Sequence, residues 1–177
     1  MPTGLTRRQT LTGGAALGWF LVSGSWLYTT AAEAVEKGFE PQTLTKNQCE
    51  SLEQLAEVLV PGSRAAGITA YVDSQLSAGS RSLLMAKYVG VPTNQQEAFY
   101  KGALDAAAQA LTSPNATVGG VVSAMAKDSV EGWQGPPSSF FFFLLRADAL
   151  DVTYGTEQGF EALAIPYMAH ITPEEPW

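Results

Sequence analysis

Cys49 is the chain's one cysteine and His170 its one histidine, among 177 residues. Those two counts exclude most metal and cofactor chemistry. A structural zinc site needs about four Cys or His ligands. An iron–sulfur cluster needs several thiolates, and covalent c-type haem needs Cys-x-x-Cys-His. An intrachain disulfide is impossible. A carboxylate-only Ca²⁺ or Mg²⁺ site passes the count, but the sequence has no Asp-rich loop of calcium-binding spacing. It also lacks a dinucleotide-binding Gly-x-Gly-x-x-Gly, a phosphate loop and a Gly-x-Ser-x-Gly nucleophile elbow.

Three sets of reactive groups remain. Cys49 follows Gln48 in the first turn of a predicted helix, where the helix dipole lowers a thiol's pKa. Lys46 is the only basic neighbour, so a packing role is expected. Asp148 and Asp151 lie three apart on one helical face beside Arg146. Such a pair can act as general acid and base, but the expected arrangement is a solvated face with a local ion pair. His170, within Ile165–Pro173, reads either as a polar contact at an interface or as a partly buried residue that fixes the tail. This reading yields no catalytic, cofactor-binding or metal-ligating residue.

Ten basic against 17 acidic side chains give a net charge of −7 and a pI near 4.6. That balance, with no basic run, excludes a nucleic-acid partner. The basic residues Arg7 and Arg8 stand before the apolar stretch Gly13–Thr30, which four glycines dilute and the small residues Ala31-Ala32-Glu33-Ala34 follow. This is the three-part layout of an export signal. Arg7, Arg8 and Leu11 match the twin-arginine pattern, with Thr10 where that pattern has a large residue. Cleavage is expected after Ala32 or Ala34. The alternative is a membrane anchor, since the 18 residues Gly13–Thr30 approach the ~20 that span a bilayer. Without Arg7 and Arg8 the balance is 8 basic to 17 acidic, a net −9.

Five helices are predicted to position the rest. Thr45 and Gln48 form a capping box ahead of Leu52, Leu55, Ala56 and Leu59. A second helix spans 66–76. A short apolar segment, 83–91, leads to a third helix over 95–111 capped by Asn94. A fourth covers 116–131, and a fifth follows Pro136-Pro137, carrying Phe140, Phe141, Phe142, Phe143, Leu144 and Leu145. Six large apolar residues in succession sweep more than one helical turn. Either the others surround this helix or one side docks on a partner. Phe160, Tyr167, His170 and Trp177 in the tail, with Phe140–Phe143, are the docking candidates. The expected fold is all-α: an irregular single-domain bundle of about five helices (residues 35–177), ending in an irregular, aromatic, proline-rich tail and preceded by an export signal (residues 1–34).

Leu59-Val60-Pro61, Ala66-Gly67-Ile68-x-x-Tyr71-Val72-Asp73-x-x-Leu76 and Phe143-Leu144-Leu145-Arg146-Ala147-Asp148-Ala149-Leu150, behind a twin-arginine signal, resemble the gluconate 2-dehydrogenase subunit 3 family. These are the small subunits of periplasmic flavin-dependent sugar and polyol dehydrogenases. The tail departs from the family's Gly-rich end at Ile165-Pro166-Tyr167, which leaves gluconate, glucoside and lactose dehydrogenases open as partners. The resemblance implies a non-catalytic subunit without a cofactor of its own. Its large partner would be a flavoprotein of the glucose–methanol–choline (GMC) oxidoreductase type carrying FAD, with a c-type cytochrome holding haem c as electron acceptor. The twin-arginine translocase would carry the folded complex to the periplasm, where it can associate with the inner membrane.

Overall fold

A computed structural model describes residues 17–165. It begins with an antiparallel hairpin, β1 (Leu17–Val22) and β2 (Ser25–Thr30), in which Trp19 pairs with Tyr28 and Leu21 with Trp26. Ser23 and Gly24 turn the chain with φ of 48° and 78°. Positive φ at both central residues is what a two-residue I′ hairpin turn requires, because its twist matches that of the strands. Phe20, Val22 and Thr29 point into the body. Residues 38–40 brace the outer edge of β1: the Glu40 N–H donates to the Leu21 carbonyl at 2.8 Å, and Phe39 sets its ring against Phe20.

Helix α1 (Ala31–Glu36) starts directly from β2, its N-terminus capped by the Thr30 hydroxyl. The five expected helices follow as α2 (Lys46–Leu59), α3 (Ile68–Ser77), α5 (Thr93–Leu111), α6 (Val118–Ala126) and α7 (Ser138–Tyr154). Two short ones are added, α4 (Met85–Tyr88) and α8 (Glu157–Ala162). The capping box of α2 forms in full: the Gln48 N–H donates to the Thr45 hydroxyl and the Thr45 N–H to Gln48 Oε1. Helix α5 has Pro92 at its N-cap instead of Asn94. Helix α6 stops at Ala126, short of the expected 131. Asp128 takes φ of 54° just beyond it and accepts hydrogen bonds from the Ser138 hydroxyl and the Ser139 N–H. Those two bonds tie the end of α6 to the first turn of α7.

Helix α7 is the axis of the molecule. It packs against α2, α3, α4, α5, α6 and α8, with Phe141, Leu144, Leu145 and Ala149 wholly buried. On α5, Ala103, Leu104 and Ala107 are wholly buried, and Tyr100 sets its ring edge to face against Phe141. Central placement hides Phe141, Leu144 and Leu145, while Phe140 and Phe142 stay half-buried and Phe143 is exposed.

Two expectations need correction. The chain is mostly helical, with eight α-helices among the described residues, but its two-stranded sheet means that it is not strictly all-α. The boundary expected after residue 34 falls within packed structure. It passes through α1, whose Ala31 and Ala34 are fully buried, and residues 17–34 pack on the body through Phe20 and Val22. The region 154–165, expected to be irregular, holds the end of α7 and helix α8, capped by Thr156.

Gly67 locks α1 to the body. It has φ of 84°, and a Cβ there would lie 2.4 Å from the Ala31 carbonyl carbon and oxygen. Gly67→Ala therefore combines left-handed backbone strain with a backbone clash and should cost about 3 kcal/mol or more in urea denaturation. Gly79→Ala, at φ of 58° but with open space around it, should cost about 1 kcal/mol. Equal losses at the two positions would contradict the close approach.

Candidate functional site

The groups with reactive potential face inward. Asp148, on α7, is 0% exposed. It accepts the Met85 N–H at 2.8 Å, which fixes α4, and the Tyr100 hydroxyl of α5. Burial pushes its carboxyl up to about 7, the negative charge of Asp151 adds to that, and the two donors only partly offset it. Burial and the neighbouring Asp148 carboxyl raise the Tyr100 phenol well above its ordinary value. The Tyr71 hydroxyl of α3, buried without a hydrogen-bond partner, is raised by the same causes. The expected solvated face is therefore wrong for Asp148: α3, α4 and α5 cover it. Arg146 lies exposed and forms no ion pair among the described residues.

Asp73, a second buried acid, was not singled out from sequence. Its carboxylate accepts the N–H groups of Gln42, Thr43 and Leu44 at 2.9, 2.9 and 2.7 Å. It thereby organises the turn that leads into α2. The available signal was an acid amid Ile68, Tyr71, Val72 and Leu76 on an apolar helix. Cys49 packs beside it. Burial, with the negative charges of Asp73, Glu53 and Glu50, pushes the thiol up to about 12. The proximity of the helix N-terminus is thus outweighed, and Cys49 is a packing residue.

The docking candidates separate. Phe141 is enclosed, with the rings of Tyr100 and Phe99 at 5.7 and 6.4 Å, and has no surface to offer a partner. Phe140 is half-buried with its edge on Phe99, and Phe142 is half-buried. Phe143 is 49% exposed, and Leu150 is exposed seven residues further along the same helix. Phe160 is half-buried on α8. Tyr167, His170 and Trp177, like Arg7, Arg8 and Leu11 of the export motif, lie outside the described residues. Among the described residues the most exposed aromatic side chains were not predicted: Trp19 at 60%, Trp26 at 62% and Tyr88 at 64%.

A cavity of about 490 Å³ opens between α1, the loop after α2 and the α7–α8 junction. Its walls are mostly small (Ala32, Ala65, Ala66, Ala162), and Glu33 and Glu36 are its charged members. The buried Thr153 hydroxyl beside it has no hydrogen-bond partner. Its size falls in the range of small-molecule pockets, and its polar lining residues are Glu33, Glu36, Thr30, Thr153, Tyr154 and Thr156. Among the described residues no group of three or more His, Cys, Asp or Glu could hold a metal ion.

Asp148 makes stability depend on pH. Its proton is held more tightly in the folded chain than in the unfolded one, so the folded state binds more protons between about pH 4 and about 7. The stabilisation is complete below the ordinary carboxylate value and is lost as pH rises through 7, on the order of 4 kcal/mol in all. Asp148→Asn should flatten that part of the profile in urea denaturation at a series of pH values, and an unchanged slope would refute the assignment. Cys49 should resist a thiol reagent in the native chain and react promptly once unfolded; fast native labelling would contradict its burial.

The chain matches no family model, no curated protein and no solved structure.

Proposed function

We propose that the chain is a non-catalytic small subunit that stabilises a flavin-dependent, GMC-type sugar or polyol dehydrogenase and escorts it through twin-arginine export to the periplasm. The observation that carries this reading is the inversion of the usual enzyme layout. Cys49, Asp73, Asp148 and Tyr100 are sealed in the core and committed to contacts within the chain. Large aromatic and aliphatic side chains such as Phe143, Leu150 and Tyr88 face outward. Such a surface suits burial against a larger protein, because aromatic residues dominate interface cores. The segments that resemble the gluconate 2-dehydrogenase subunit 3 family support the same reading. Leu59-Val60-Pro61 and Ala66–Leu76 form the α2–α3 corner, and Phe143–Leu150 is the middle of α7. In this reading FAD and the substrate site belong to the large subunit, and haem c to a cytochrome that accepts the electrons.

The paired Arg7 and Arg8 support export in the folded state, because a flavin must be inserted before the complex leaves the cytoplasm. A stand-alone helical binding or scaffold protein held at the membrane is the second reading. It is favoured by the way residues 17–34 are built into the fold.

Affinity purification of the tagged chain from its native cell, followed by an absorption spectrum, separates the two. A flavin band from a co-purifying large subunit is expected, and a colourless lone chain would favour the scaffold. Replacing Arg7 and Arg8 by Lys should leave both proteins in the cytoplasm, and deletion of the chain should abolish periplasmic dehydrogenase activity. Normal activity in the deletion strain would refute the escort role. Phe143→Asp should reduce recovery of the flavoprotein without altering the thermal midpoint. Phe141→Ala should instead cost about 3–5 kcal/mol of stability.

A further inference from the structure

The hairpin shows two faces of different kinds. Its inner face, with Phe20, Val22 and Thr29, belongs to the core. Its outer face carries Leu17, Trp19 and Leu21 from β1, set opposite Thr30, Tyr28 and Trp26 from β2. The Trp19 and Tyr28 rings meet edge to face at 5.4 Å. Both tryptophans are more than half exposed. No charged side chain occurs from Gln9 to Ala32. The outer face is therefore a small, uncharged, aromatic plate fixed to an otherwise acidic protein.

We propose that this hairpin remains part of the folded, exported chain and lies in the headgroup region of an anionic lipid membrane, anchored by Trp19, Trp26 and Tyr28. Three observations carry this. First, cleavage after Ala32 or Ala34 would cut inside α1 and remove Phe20, Val22 and Ala31 from a packed core. The close contact between Gly67 and Ala31 would be lost with them. Retention follows from packing. Second, the footprint is too small for a protein partner. Two six-residue strands present a plate of roughly 20 by 10 Å, about 200 Å², whereas a stable protein interface needs about 800 Å² per partner. A lipid surface sets no such minimum, and Trp and Tyr are the residues that favour the membrane–water boundary. Third, the charge is distributed to suit. The residues before Leu17 carry Arg7 and Arg8 and no acid, while those from Glu33 onward carry 8 basic and 17 acidic side chains. The stretch that complements anionic headgroups is thus the sequence leading into the hairpin, while at the turn itself the Gly24 N–H donates to Glu40 Oε1 at 3.0 Å.

The hairpin lies on the membrane rather than crossing it. Strands of about 20 Å are shorter than the ~30 Å hydrocarbon core, and the backbone groups on the outer edge of β2 need the water of the headgroup region. No helix among the described residues is long and apolar enough to cross a membrane.

Flotation of the full chain with lipid vesicles tests the inference, together with its intact mass after export. The expected mass includes residues 17–32, and the chain floats with vesicles of phosphatidylethanolamine and phosphatidylglycerol. The double variant Trp19→Ser/Trp26→Ser should lose roughly tenfold or more in bound fraction, with its thermal midpoint unchanged because both side chains are exposed. Arg7→Gln/Arg8→Gln should lose roughly tenfold on those vesicles and nothing on phosphatidylcholine. A mature chain beginning at Glu33 or Val35 overturns the proposal. So does vesicle binding that is indifferent to the two tryptophans, or a double variant that loses self-association or its protein partner instead of lipid. The proposal rests on the export proposed above but not on the flavoprotein: flotation of the full chain and flavin co-purification are scored separately, and either can fail alone.

Discussion

Everything in this fold follows from the need to enclose α7. Phe140–Leu145 cannot be hidden by one flat face, since six consecutive helical residues point in every direction around the axis. The other helices form a sheath that leaves Phe143 outside, and their sequences fit that task. Helix α5 buries Ala103 and Ala107 and supplies Tyr100, whose ring meets Phe141 edge to face. Helix α4, too short to be stable by itself, is tied down by the Met85 N–H, which donates to Asp148. Even the acid at the centre serves the sheath, joining α4 and α5 to the axis through one carboxyl.

That enclosure sets where polarity can sit. A buried carboxyl is tolerated when donors surround it, and Asp73 and Asp148 each meet that condition in a different way. Asp73 faces three backbone N–H groups of a loop. Asp148 faces one N–H and one phenol, fewer donors in a tighter site, and burial holds it close to neutrality. The surface is left with acidic side chains and isolated aromatic plates. The buried acids thus bond within the chain, while Phe143, Leu150 and Tyr88 face outward.

Local signals were legible in sequence, and long-range ones were not. The Thr45–Gln48 capping box was readable because both of its bonds lie within three residues. The five long helices were readable from their apolar spacing and their Pro and Gly stops. The hairpin was missed because both of its faces are apolar: Leu17, Trp19 and Leu21 outside and Phe20 and Val22 inside abolish the alternation that marks a half-buried strand. The same uncharged, glycine-diluted run has the composition of an export signal, so a linear reading could not separate the two. Ser23-Gly24 between two apolar runs was the available clue, as a two-residue turn. Asp148 was misread because its cover comes from Met85 and Tyr100, 63 and 48 residues away. No local pattern announces such a partner. Of the docking candidates, Phe141 and Phe143 are indistinguishable by type and differ only in which way the helix turns them.

The position of α7 also governs when this protein can come into being. Ribosomes deliver a chain from its N-terminus, yet the piece that fills the centre, Ser138–Tyr154, is the last of the long helices to be made. Until it emerges, Leu52, Leu55, Ile68 and Leu104 have no axis to close upon. The hairpin, though made first, must wait for Gly67 and α3 to provide its seat. The core of this domain is thus completed only once α7 has been made.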